Sequence, residues 1–163
     1  MSTNAKQQQI LTVKVTRRFH ATAERVFDAW LDPQRARKFL FTRPGQVVVR
    51  ADIDARVGGS FLFVARRDGK DFDHIGKYLE IDRPRRLVFT LCVPSVWSDD
   101  NRVTVEILPL ETGCELTVTQ EGVLPEHGSR IESGWTLFLE GLERIELQSG
   151  SENAQLNEHK EAI

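Results

Sequence analysis

Near the end of the chain, large apolar residues recur at the spacing of an α-helix. They lie three or four positions apart: Ile131, Trp135, Phe138, Leu142 and Ile145. This spacing puts them on one helix face and predicts an amphipathic helix over residues 131–147. Ser129 and Glu132 have the spacing of a capping box, and Gly150 is a suitable stop. Charged residues fall mostly on the other side of this helix: Glu132, Glu140, Glu143, Arg144 and Glu146.

Most of the chain before this helix alternates apolar and polar residues, as β-strands with one buried face do. The alternation predicts seven strands, over residues 11–19, 46–52, 60–66, 71–81, 87–91, 102–108 and 114–120. Asp68-Gly69 is typical of a two-residue hairpin turn between two of them. Strands that follow one another through such short connections pair antiparallel.

The first two strands are separated by a segment with helical spacing. Thr22 is a suitable N-cap for a short helix that ends near Leu31. Asp32-Pro33 then breaks this helix and begins a second one, which ends near Leu40. We expect the long helix to cover the apolar face of an antiparallel sheet and to leave a cavity where the sheet curves.

The composition restricts the classes of partner. Lys and Arg total 22 and Asp and Glu total 24, so the net charge of −2 does not favour nucleic acid. At 163 residues the chain fits one domain, which we place at 10–150, with flexible segments at 1–9 and 151–163. Cys92 and Cys114 lack CxxC spacing, which indicates buried thiols in a reducing, cytoplasmic setting. No apolar run reaches the roughly 20 residues of a membrane span, and the first residues lack the apolar core of a signal peptide.

Five segments of the sequence resemble a known family. They are FHATAERVFDAWLDP at 19–33, GGSFLF at 58–63, HIGKYLEIDRPRRLVFTL at 74–91, VTVEILPLETGCELTVTQEG at 103–122 and GWTLFLEGLERI at 134–145. Together they resemble the START-like, helix-grip superfamily, also called SRPBCC. Within it, the chain is similar to the family named after the C-terminal domain of the activator of the heat-shock-protein-90 ATPase. The resemblance extends from about Val13 to Gln148.

The resemblance implies an α+β helix-grip fold. In this fold a curved antiparallel sheet of about six to seven strands wraps around a long C-terminal α-helix, with two short helices after the first strand. The family also implies a central cavity and, often, binding of hydrophobic small molecules, without a fixed catalytic set. Full-length chaperone activators carry a further N-terminal domain, for which this sequence offers no candidate. A chaperone partner is therefore weakly supported.

We expect twelve residues to face the cavity. Ten share the inward parity of their strands or the apolar face of the helix: Phe61, Phe63, His74, Tyr78, Phe89, Leu91, Val105, Val118, Trp135 and Phe138. Gln120 shares the parity of Val118 and would meet a ligand at the cavity end, unless it is an exposed strand terminus. Trp97, in the loop over residues 93–100, would gate the cavity or plug it. The alternative for the whole set is a core packed without free space.

Polar chemistry on this inward face rests on His74 and Tyr78. They could orient a ligand or act as an acid and a base, since imidazole titrates near neutral pH; the alternative is a buried, hydrogen-bonded pair. His127 and Gly128 flank another candidate entrance. The four histidines lie on separate predicted elements, and no metal-binding, nucleotide-binding or hydrolase motif is present. We therefore expect no metal and no cofactor.

Three functions remain open. The first is a non-enzymatic binding module that encloses a small hydrophobic or aromatic molecule. The second is a polyketide cyclase-like, aromatase-like or hydrolase-like enzyme that uses His74 or Tyr78. The third is an interaction protein that acts on a chaperone ATPase, which the family resemblance alone suggests. The sequence favours the first and does not decide whether the chain forms a homodimer.

Overall fold

The structure is a computed structural model that describes residues 10–97 and 99–161, with side chains described as far as Glu146. The flexible segment expected at residues 1–9 lies outside the described residues. The strands are β1 (Leu11–Phe19), β2 (Val47–Ile53), β3 (Ser60–Arg67), β4 (Lys70–Asp82), β5 (Arg86–Leu91), β6 (Asn101–Leu110) and β7 (Gly113–Val123). The helices are α1 (Ala23–Ala29), α2 (Pro33–Phe39) and α3 (Gly128–Glu161), and a 3₁₀ helix over Pro125–His127 precedes α3.

The strands form one antiparallel sheet of seven strands in the order β1-β7-β6-β5-β4-β3-β2. The β3–β4 hairpin turns at Asp68-Gly69, where the φ angles of 52° and 75° are those that the predicted turn requires. The pairing register shifts between Val48 and Arg50 and between Tyr78 and Glu80. Bulges of this kind bend a sheet and let it curve around a helix. The predicted α+β helix-grip fold, with its antiparallel sheet and long C-terminal helix, is confirmed.

The two short helices begin as their sequence predicts. The Thr22 hydroxyl and the Asp32 carboxylate each accept a hydrogen bond from a backbone N–H in the first turn, at 3.2 and 3.0 Å. Pro33 is the first residue of α2, where its missing N–H leaves no hydrogen bond unmade. Trp30 follows α1, and its ring meets Phe39 of α2 edge-on at 5.3 Å. The two helices therefore bring aromatic side chains to the interior.

Helix α3 packs against the sheet with its predicted apolar face inward. Trp135, Phe138 and Leu142 are buried, and Ile131 and Ile145 pack against the same core while partly exposed. Burying each of the three large side chains contributes about 1.5–3 kcal/mol. The apolar face therefore suffices to hold the helix on the sheet.

Both ends of α3 differ from the sequence prediction. The helix begins at Gly128, directly after the 3₁₀ helix, so Ser129 lies inside it instead of capping it. It also continues past Gly150 to Glu161, because a glycine weakens a helix without necessarily ending it. The flexibility expected for residues 151–163 stays a prediction.

The sequence pattern places Glu146 away from the apolar face of α3, but the structure buries it, with only 5% of it exposed. Arg25 of α1 and Arg35 of α2 both form ion pairs with its carboxylate. The helical spacing does not reveal that the two short helices cover this side of α3. Since an unpaired buried charge is costly, the two arginines are what allow a carboxylate here.

Candidate functional site

A partly enclosed pocket of about 100 Å³ lies between the first turns of α3 and the strands β3, β4 and β5. The loops after α2 and β5 complete its wall. Its apolar lining residues are Phe41, Ala65, Phe72, Leu91, Val93, Val96, Trp97, Ile131, Gly134, Trp135 and Phe138. Its polar lining residues are Arg43, Gln46, Arg67, His74, Gln120, His127 and Arg130. A mainly apolar wall with a few polar groups is typical of small-molecule sites.

The structure divides the twelve predicted cavity residues between different places. Six line this pocket: His74, Leu91, Trp97, Gln120, Trp135 and Phe138. Four surround a void of only about 10 Å³ elsewhere in the interior: Phe61, Phe63, Tyr78 and Phe89. Val105 and Val118 are buried in the core and line neither space. Half of the predicted set therefore borders the pocket, and the other half fills the interior.

Phe41 lies at the centre of the aromatic wall, although the sequence analysis did not select it. Its φ angle of 60° is in the left-handed region, which is strained for a bulky residue. Its ring stacks on His74 at 4.6 Å. The same ring meets Phe63, Trp135 and Phe138 edge-on at 5.3, 6.3 and 6.0 Å. Strain of this kind persists where the surrounding packing holds a residue in place, and it is common at ligand sites.

A chain of hydrogen bonds orients Trp135 in the pocket. The Trp135 indole N–H donates to Gln120 Oε1 at 2.8 Å, and Gln120 Nε2 donates to Asn101 Oδ1 at 2.8 Å. Asn101 Nδ2 then donates to the Gly122 carbonyl at 3.1 Å. Because an indole only donates and a carbonyl only accepts, the orientation of both amides is determined. Gln120 is 1% exposed, so the alternative of an exposed strand terminus is wrong.

His74 stands beside Phe41 with its Nδ1 3.1 Å from the Phe72 carbonyl oxygen. Since a carbonyl oxygen only accepts, Nδ1 carries the ring proton. Burial lowers the pKa of His74 to about 4, and the Arg43 cation acts in the same direction. The carbonyls of Phe72 and Phe63 oppose this shift only in part. His74 is therefore neutral at pH 7.

Tyr78 does not share the pocket with His74. Four residues along a strand span about 13 Å, and the Tyr78 ring packs against Phe61 at 5.5 Å and Phe89 at 6.3 Å. Burial raises the pKa of Tyr78, and the Asp54 carboxylate acts in the same direction. The two side chains line different spaces, so the structure does not bring them together as an acid–base pair.

Trp97, on the loop after β5, forms part of the pocket wall. Its ring lies 6.1 Å from that of His127, which belongs to the 3₁₀ helix before α3. Its indole N–H is buried and has no acceptor among the residues that the structure describes. The role of Trp97 as a gate or a plug stays a prediction.

Three arginines at the pocket did not emerge from the sequence. Arg43 follows α2, Arg67 is the last residue of β3 and Arg130 lies in the first turn of α3. On β3, Phe61, Phe63 and Ala65 face inward, and the same alternation predicts that Arg67 does too. On β4, the alternation that turns His74 inward likewise predicts Phe72. Arg43 and Arg130 carry no such signal, since their elements meet only in the tertiary structure.

Metal ligands and membrane-spanning helices are not seen in the described ranges. No three His, Cys, Asp or Glu side chains there lie close enough together to hold a metal ion. No helix there is both long enough and apolar enough to cross a membrane. Cys92 and Cys114 are both buried. Burial raises the pKa of Cys114 to about 11, so this thiol stays protonated at neutral pH.

The curved sheet, the long helix packed on it and the pocket between them define a helix-grip domain. Residues 20–145 match the family described as Activator of Hsp90 ATPase homolog 1-like protein. This match covers well over half of the sequence, and the chain belongs to that family. The predicted family resemblance is therefore confirmed.

Solved structures of proteins from several bacteria share the fold. One from Chromobacterium violaceum is 29% identical with a TM-score of 0.77, over 82% of this chain and 95% of that one. An AHSA1-like protein from Aeromonas hydrophila is 20% identical with a TM-score of 0.75, over 86% and 94% of the two chains. A Staphylococcus aureus protein described as of unknown function is 16% identical with a TM-score of 0.76, over 90% and 99%. No curated protein matches the sequence.

Proposed function

We propose that this domain is a binding module that holds a small apolar or aromatic molecule between α3 and the sheet without transforming it. The observation that carries the proposal is the pocket of about 100 Å³ and its wall of Phe41, Trp135 and Phe138. An apolar cavity of about 150 Å³ suffices to bind benzene. This pocket is smaller than that cavity but open on one side, so it suits a ligand with no more than one ring or a short branched chain. The buried Cys114 thiol leads us to place the protein in the cytoplasm.

The wall of the pocket is held in place before any ligand arrives. Gln120 orients Trp135 through a 2.8 Å hydrogen bond, and Phe41 is held among five surrounding rings. A preorganised wall supports binding because less side-chain freedom is lost when the ligand enters. The cyclase-like, aromatase-like or hydrolase-like alternatives would use His74 or Tyr78 as acid or base. Burial lowers the pKa of His74 to about 4 and raises the pKa of Tyr78, so both move away from the neutral range that acid–base catalysis favours, which supports binding over catalysis.

Native mass spectrometry of the protein purified from its own cells tests the proposal directly. We expect a bound apolar passenger at close to one per chain, which extraction then assigns to a chemical class. Protein that is empty, and whose melting temperature does not change across a library of aromatic and lipid compounds, would count against a carrier.

Filling the pocket provides a sharper test. Ala65 is buried and lines the pocket, so Ala65→Leu should fill free space and abolish binding. Its stability should stay equal or rise by about 1 kcal/mol, because filling a cavity restores packing contacts. Val64→Leu, on the outward side of the same strand, is the matched control and should bind normally. Binding that survives Ala65→Leu would place the ligand elsewhere.

A second candidate function is a protein partner, which membership of a family named for an ATPase activator favours. This function predicts saturable binding to an Hsp90-type ATPase and a changed rate of ATP hydrolysis. Both should persist in Ala65→Leu, because a protein-binding surface does not need the pocket. No binding at micromolar concentration would exclude this candidate, and sedimentation of the same samples would show whether the chain is a homodimer.

A further inference from the structure

The pocket has three cations around it and no acid in its lining. Arg43, Arg67 and Arg130 come from three different elements, and none of the described lining residues is an aspartate or a glutamate. The adjacent residue Arg66 shows the contrast, because it points to the other side of β3 and pairs with Asp71 at 2.8 Å. The chain thus neutralises its outward arginine but leaves the inward one facing other cations.

Within the described residues, the side chains of Arg43 and Arg67 contact groups that carry no charge. Arg43 donates to the Arg130 carbonyl at 2.9 Å and lies 6.0 Å from the centre of the Phe138 ring. Arg67 lies 5.2 Å from the centre of the Phe72 ring. Burial lowers the pKa of Arg43, and the Arg130 and Arg67 cations act in the same direction. Such a cluster repels itself, and an anion between its members would relieve the repulsion.

The hydrogen-bonding capacity of the pocket is also unbalanced toward donors. The buried Trp97 indole N–H has no acceptor within the described part of the chain. Gln120 Oε1 already accepts from Trp135 at 2.8 Å. Because the Trp97 N–H is enclosed by packing, the donors that a ligand with oxygen acceptors would meet are those of the arginines.

We infer that the ligand of this pocket is a small aromatic carboxylate, whose ring lies among Phe41, Trp135 and Phe138 and whose carboxylate accepts hydrogen bonds from Arg43 and Arg67. The inference rests on the proposed binding function and adds a charge to its ligand. A planar guanidinium matches a carboxylate with two parallel hydrogen bonds, which a neutral apolar molecule would leave unmade. The aromatic wall supplies the apolar contact, and the arginines select for the negative head group.

The test is an NMR titration of the full-length ¹⁵N-labelled protein with three probes of nearly equal shape: phenylacetate, phenylacetamide and 2-phenylethylamine. We expect the carboxylate to bind at least about tenfold more tightly than the amide, as a charge-assisted hydrogen bond provides, and the amine to bind least. The three tryptophan indole signals localise the event. Those of Trp97 and Trp135 should shift, whereas that of Trp30, which lines the small void and stacks on Trp135 at 6.0 Å, should shift less.

Two substitutions test the residues. Arg43→Gln and Arg67→Gln should each weaken phenylacetate binding by about tenfold and change phenylacetamide binding by less than about twofold. Arg66→Gln removes the same charge from the outward side of β3 and should leave both affinities unchanged. The ¹⁵N spectrum of each variant shows whether it is folded, and either inward arginine suffices for the test.

The outcomes separate this inference from the proposed function. Equal binding of acid and amide, unaffected by Arg43→Gln and Arg67→Gln, would overturn the carboxylate assignment and leave an apolar binding pocket. Shifts confined to residues outside the pocket, or no shifts with any probe up to its solubility limit, would overturn both. A loss of affinity in Arg66→Gln as large as in Arg67→Gln would show a general effect of net charge and would also contradict the inference.

Discussion

The interior of this domain has two ends that share three strands but are filled to different extents. Around Tyr78 and Phe89, a void of only about 10 Å³ is left. Around His74 and Leu91, the pocket measures about 100 Å³. Strands β3, β4 and β5 contribute to both ends with the same inward parity. Alternation therefore determines which face is buried, and does not determine whether that face encloses space.

Side-chain size and the covering elements account for the difference. At the filled end, β3 contributes Phe61, and Trp30 and Leu40 are the residues that directly follow α1 and α2. At the open end, β3 contributes Ala65 and α3 contributes Gly134. Strand β3 thus contributes a ring at the filled end and only a methyl group at the open end. We therefore expect side chains at the filled end to contribute most to the free energy of unfolding, and side chains at the open end to contribute most to ligand binding.

The largest expected effect contrasts two phenylalanines. Phe89 is 2% exposed at the filled end, so Phe89→Ala should cost about 4 kcal/mol of unfolding free energy by leaving a large cavity. Phe72 lies partly exposed at the pocket, and Phe72→Ala should cost no more than about 1 kcal/mol. Urea unfolding of both variants measures the difference. Equal losses would mean that the two ends do not differ in their contribution to stability.

Gly76 lies on β4 between the two ends and allows a close approach of neighbouring atoms. A Cβ there would lie 1.9 Å from the Thr90 carbonyl oxygen and 2.4 Å from the Phe61 ring. Because backbone cannot move aside cheaply, Gly76→Ala should cost about 3 kcal/mol. Lys77→Ala, on the outward side of the next position, should change stability by no more than about 0.5 kcal/mol. Calorimetric unfolding of the two variants would contradict this contrast if their melting temperatures were equal.

Acid should destabilise the protein through the open end. The pKa of His74 falls from 6.5 to about 4 on folding, so the unfolded state binds more protons between these pH values. The stability due to neutral His74 is therefore complete above about pH 6.5 and falls by about 2 kcal/mol between pH 7 and pH 5. His74→Phe should lose this part of the pH dependence, while His20→Gln, at an exposed position, should keep it. Unfolding free energies measured at both pH values decide the matter, and a His74→Phe variant as acid-sensitive as the wild type would refute it.

The smallest effect on stability is expected at Trp97. Its indole N–H has no acceptor among the described residues, so Trp97→Phe removes an unused donor and should change the unfolding free energy by less than about 1 kcal/mol. Trp135→Phe is the matched variant, because it leaves Gln120 Oε1 without its donor and should cost about 2 kcal/mol. Similar losses in chemical denaturation of the two variants would show that Trp97 is a structural plug.

The candidate site could be predicted from the sequence only in part. Period-two alternation selected His74 and Leu91, and helical spacing selected Trp135 and Phe138, all of which line the pocket. The same alternation selected Phe89 equally strongly, although it packs at the filled end. The alternation along a strand shows which face of the sheet a side chain is on, and it does not show whether that side chain lies at the filled end or at the open end.

By itself, the sequence determined the helices, the strands, their inward faces and the family, because these depend on periodicity and on local signals such as Thr22 and Asp68-Gly69. Only the tertiary structure decided where free space remains, that Phe41 adopts a φ of 60°, and that Arg43 and Arg67 face the same pocket. The physical reason is that a cavity is a small difference between the volumes of many side chains. Those side chains come from elements far apart in the chain, and no local pattern reports their sum.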